Sequence, residues 1–153
     1  MLRSRILQVS VAAIVLGMGG TLFALNRDRP TLEELKARVG AASVADRPPL
    51  CLHVAEEQLK NAADFYSAGE SEKAQAALAD VAAYAQLDRD YAIQSHKHEK
   101  QSEIAIRKMV RKLSDMKHTV TRDEQAQLQT TIEQLEKVRD DLLASMFPQG
   151  GKK

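Results

Sequence analysis

From Glu70 to Phe147 the chain contains neither glycine nor proline. Those two residues make tight turns and end helices, and the stretch between is rich in strong helix formers, chiefly Ala, Leu, Glu, Gln, Lys and Arg. A run this long with no turn signal leaves no room for a sheet. The fold class is therefore all-α.

Within that run the buried stripe is legible from its spacing. Ala74, Leu78, Val81, Ala85, Asp88, Ala92, Ser95, Glu99, Ser102, Ile106, Met109, Leu113 and Met116 alternate steps of four and three throughout. The phase does not reset, which predicts one central helix over 71–118, roughly 70 Å long at 1.5 Å per residue. Its coiled-coil-like seam is apolar at both ends and small or polar from Asp88 to Ser102. A helix over 51–68 packs on its first part, with Leu52, Ala55, Leu59, Ala62 and Tyr66 inward, and Gly69 makes the turn. A last helix over 121–147 starts at a capping box, Thr121 with Glu124, and turns Leu128, Ile132, Leu135, Val138, Leu142 and Met146 inward. The expected architecture is two antiparallel helical hairpins sharing one long central helix. Its alternative is a closed four-helix bundle. Two-helix layers bury little apolar area, so an unbent central helix calls for a second copy over its open face, a homo-oligomer.

The N-terminal part sets location. Arg3 and Arg5 precede an apolar run, Ile6–Leu25, of the length that spans a bilayer. Residues 1–25 read as a signal peptide or an uncleaved membrane anchor. Export follows, to the periplasm or to the outer side of the inner membrane. Residues 26–49 read as a linker holding a short, mobile helix at 31–39, started by the capping box Thr31 and Glu34. Residues 50–147 form the helical domain, and 148–153 a disordered tail. The first thirty residues carry a net +3 (four arginines against Asp28), leaving −2 for the remainder of a chain whose total is +1. That balance argues against a general polyanion binder.

Candidate chemistry gathers at Gln94–Gln101. With the last turn centred near residues 119–120, antiparallel pairing sets His96, His98 and Glu99 against Arg139, Asp140 and Asp141. His96, Glu99 and Asp140 then form a candidate metal site, and His98 with Asp141 a candidate pH-responsive pair. Cys51, the only cysteine, excludes an internal disulfide but can form one between two copies. The basic residues of 97–117 (net +4) can pair with the acidic ones of 121–147 (net −3), or meet anionic lipid or envelope polymers. Nucleic acid is not expected, because that span has no aromatic residue for stacking. No phosphate loop, nucleophile elbow or His-Glu-x-x-His is present. Neither catalysis nor a cofactor is expected.

Phe65-x-x-x-Gly69-x-x-x-x-Ala74-x-x-x-Leu78 resembles the middle of a tetratricopeptide repeat. The resemblance covers one hairpin, about Gln58–Gln86. Repeats need neighbours, so the family's peptide groove does not carry over. The whole chain is similar to small exported bacterial helical proteins, through Ile104–Lys108 and Leu142–Phe147, a resemblance that implies no activity. Two classes of function follow: a non-catalytic structural or protein-interaction module of the cell envelope, or a periplasmic sensor of metal or pH.

Overall fold

The computed structural model describes residues 29–148, and all regular structure among them is helical. In chain order these are α1 (Leu32–Ala41), a 3₁₀ turn (Val44–Asp46), α2 (Arg47–Ser67), α3 (Ser71–Ser95), α4 (Glu99–Lys117) and α5 (Arg122–Met146). The apolar run 6–25 and the tail beyond Pro148 lie outside the described residues. Among the described ones, no helix is long and apolar enough to cross a membrane.

Both capping boxes are present. Thr31 Oγ1 accepts the Glu34 N–H at 3.2 Å while the Glu34 carboxylate accepts the Thr31 N–H at 3.0 Å. At α5, Glu124 Oε2 accepts from the Thr121 N–H at 2.9 Å and from its hydroxyl at 2.8 Å. Gly69, at φ +74°, ends α2 in a Schellman turn: Glu70 N–H donates to Phe65 O at 2.8 Å and Gly69 N–H to Tyr66 O at 3.1 Å.

The all-α expectation stands, but the central helix is not continuous. It breaks at His96–His98 into α3 and α4. His96 takes the left-handed conformation (φ 53°) and forms a second Schellman turn, with Lys97 N–H on Ala92 O and His96 N–H on Ile93 O, both at 3.3 Å. His98 is left-handed as well (φ 66°) and caps α4 without a side-chain hydrogen bond. The reason lies in burial. A left-handed non-glycine residue costs about 1–2 kcal/mol, whereas each large apolar side chain taken out of water contributes about 1.5–3 kcal/mol. Folding the hairpin α4–α5 back onto α2–α3 buries the inner faces of both.

The result is the closed four-helix bundle. α2 packs on α3 and α4 on α5, with α3 against α5 and α2 against α4 closing the ring. One core runs through it from Leu52 and Leu59 through Leu78, Val81, Ile106 and Leu113 to Leu135 and Leu142. The seam residues of 74–116 face this core from both sides of the break, not along one straight coiled-coil stripe.

Two boundaries also differ from expectation. α2 starts at Arg47, so the linker is shorter than 26–49 implies. Pro48 sits in the first helical turn, where its missing N–H costs nothing. The short first helix is docked, not mobile: Leu35 and Val39 are buried with Cys51 and Val54 in a second, smaller core. Arg47 secures it by donating to Ala42 O at 3.0 Å and Gly40 O at 3.4 Å while its guanidinium lies 4.9 Å from the centre of the Tyr91 ring. Lys36 adds a 2.9 Å ion pair to Asp80 of α3, which also accepts from Gln58 at 2.6 Å.

Candidate functional site

The polar centre of the seam is Asp88, about two helical turns before the break. Its side chain is 0% exposed. Oδ1 accepts the Ser102 hydroxyl of α4 at 2.7 Å, and Oδ2 is buried without a partner. An ionised carboxylate in such a place is costly unless paired. Burial accordingly pushes the Asp88 carboxyl up to about 7, against the Ser102 hydrogen bond, which acts in the other direction. Asp88 and Ser102 together tie α3 to α4 across the break. Both are on the seam stripe read from the sequence. An acid at a core position was the available signal, yet the exposed histidines carried the chemical reading.

The expected metal ligands do not come together. His96 is 83% exposed at the break, with Nδ1 3.7 Å from Glu99 Oε1. Asp140 is exposed on α5, and among the described residues no three His, Cys, Asp or Glu side chains form a group able to hold a metal ion. The α4–α5 register is shifted from the expected one: Arg139 meets Glu103, Nε to Oε1 at 2.8 Å, instead of residue 99. Glu103 is 7% exposed, so this pair is largely shielded on its acidic side. The hydrogen bond to Glu103 raises the Arg139 guanidinium further.

His98 and Asp141 are not brought together either. His98 starts α4, whereas Asp141 accepts from Arg89 of α3 at 2.8 Å. Cys51 is a free thiol, 0% exposed in the α1–α2 core. Burial, and the nearby Asp88 after it, push it up to about 12. The closed fold therefore offers no sulfur at its surface for a disulfide between copies.

The basic residues of α4 lie mostly on one outward face. Lys100, Arg107, Lys108, Arg111 and Lys112 are exposed, opposite the buried Ser102, Ile106, Met109 and Leu113. Their expected neutralisation by α5 does not occur: the α4–α5 ion pair runs the other way, from Arg139 to Glu103. Among the described residues only Arg107 of the five has an acidic partner, Glu103 at a loose 3.8 Å.

Comparison of the chain with protein-family models, with curated proteins and with solved structures gives no match. The tetratricopeptide resemblance thus rests on the residues that suggested it. Any functional reading must come from the Asp88 centre and the α4 face.

Proposed function

We propose that this chain is a non-catalytic interaction module of the cell envelope, tethered at the inner membrane by residues 6–25, whose outward α4 face meets anionic lipid headgroups. The observation that carries this reading is the row of exposed, mostly unpaired cations on α4: Lys100, Lys108, Arg111 and Lys112 beside Arg107. Basic residues near an anionic leaflet contribute about 1 kcal/mol each. Tethering strengthens the effect. Residues 26–31 span at most roughly 20 Å, so the bundle stays at high effective concentration next to the surface. Periplasmic placement rests on the Arg3/Arg5-led run. Envelope proteins with acidic faces would suit the same surface.

The full chain in nanodiscs tests it. A fluorophore at Gln101→Cys should be quenched by headgroup-labelled lipid in anionic discs and much less in zwitterionic ones. Salt, and the pair Lys108→Glu with Arg111→Glu, should relieve the quenching. Equal quenching in both lipids would sink the reading.

A second reading, sensing of pH, is favoured by one observation, the buried Asp88 of α3 with an unpartnered oxygen. The groups around it are few. α2 brings Cys51, with Arg47 beyond it. α4 brings the Ser102 hydroxyl, with Glu99 one turn earlier, and α5 brings Asp141, held by the adjacent Arg89. None of these is a cation in contact with the Asp88 carboxylate. Loss of pH-dependent stability in Asp88→Asn is its test. A metal-responsive role has no such support, since His96 and Glu99 approach each other but no third ligand joins them among the described residues.

A further inference from the structure

We propose that the break at His96–His98 is a hinge for exchange between two copies: α3 and α4 straighten into one helix, and the α4–α5 hairpin of each chain packs on α2–α3 of the other. Three independent observations point there.

The first is phase. Ala85, Asp88 and Ala92 before the break and Ser102, Ile106 and Met109 after it are all buried in the closed bundle. They also fall on one four-three stripe that needs no insertion at residues 96–98. A straight helix therefore presents the same residues to the same neighbours, and both arrangements bury the same core.

The second is strain at the turn. A three-residue connection with two left-handed histidines, at φ 53° and 66°, relaxes when both become right-handed. Neither position is glycine, and short strained hinges favour exchange. The third is the start of α4. His98 provides no side-chain cap, so the first N–H groups of α4 lack the partners that a continuous helix supplies.

Exchange keeps each interface but changes its ownership. Asp88 would then accept from Ser102 of the partner subunit, and the ring of α2, α3, α5 and α4 would form twice, each from two chains. Its cost is the loss of independent motion of two copies, so the dimer depends on concentration. The occupant is a second copy of this chain, because only it carries the matching α4–α5 face.

The test uses the full chain in mild detergent. Ser71 hydrogen-bonds Glu124, so their exposed neighbours Glu72 and Asp123 sit at one end of the closed bundle. In a straightened chain they lie roughly 70 Å apart. One preparation carries Glu72→Cys and a second Asp123→Cys. They are unfolded, refolded together at high concentration and treated with a short bis-maleimide; the buried native thiol stays unreactive.

Exchange gives a covalent 72–123 pair between chains, and sedimentation shows a dimer. Hinge variants set the direction. His96→Gly with His98→Gly, which suits left-handed backbone, should lower the dimer fraction constant at least tenfold. His96→Ala with His98→Ala, which suits helix, should raise it about tenfold or more. Equal constants for the two pairs would overturn the hinge. So would the absence of a cross-linked pair at the highest concentration, and both readouts survive if the alanine pair alone folds poorly.

Discussion

Asp88 is the residue on which pH should act. Its carboxyl, raised by burial to about 7 from 3.8, keeps a proton in the folded chain that the unfolded chain gives up near pH 4. The stabilisation this brings is fully present below about pH 4 and is lost as pH rises through about 7. Urea midpoints should therefore fall across that window. Asp88→Asn keeps the shape, remains able to accept from Ser102 and cannot ionise. It should be more stable than the parent by about 1–3 kcal/mol at pH 8, where the parent holds a buried charge, and close to it at pH 4. Parallel pH profiles for the two proteins would show that Asp88 is not the titrating group. Glu124 works in the opposite sense: the Ser71 hydroxyl, then the Thr121 N–H and hydroxyl, hold its carboxyl below the usual range, so acid loosens the start of α5.

At the scale of elements, the ends of helices decide the topology, and they differ in how openly the sequence declares them. Thr31 with Glu34, Thr121 with Glu124, and Gly69 are recognisable because each residue type supplies what its position needs: an acceptor, a returning carboxylate, or a backbone free to take positive φ. The break at His96–His98 uses the same Schellman hydrogen bonds as Gly69 but fills the left-handed position with histidine. Composition gives no mark there, and the uninterrupted seam argues for a straight helix. The closure is a tertiary effect, driven by the two inner faces that become buried together. Pro48 misled in the reverse way, since a proline pair suggests a linker although the first turn of a helix accepts it. The metal reading failed through register: Arg139 meets Glu103, so the acids after it do not face His96. His96→Gly isolates the local cost of the break. The side chain is exposed, so the change removes little packing. It should stabilise the closed monomer by about 1 kcal/mol, the left-handed penalty less the added chain entropy. A lower urea midpoint for the glycine variant would mean that the imidazole itself holds the turn.

At the scale of the whole molecule, the described residues form two cores of unequal size, and the smaller depends on one short helix. α1 covers Cys51 and Val54 through Leu35 and Val39 and is held at its end by Arg47 on Tyr91. Its helix is only ten residues long, too short to persist alone in water, so it is ordered by docking and should open before the bundle melts. Cys51 reports that opening, because the thiol is unreactive while covered: it is buried, and its raised proton affinity leaves little thiolate at pH 8. In the full chain, Leu35→Asp places a carboxylate in an apolar contact and should release α1. Cys51 should then react with a thiol reagent at least tenfold faster, while the helical circular dichroism signal keeps a cooperative urea transition from the main core. If Cys51 instead reacts only as that signal is lost, in parent and variant alike, α1 and the four-helix bundle form a single cooperative unit. If the separation holds, α1 can move without unfolding the bundle, and a pull on the chain before it would reach Cys51 and Tyr91 before it reaches Asp88.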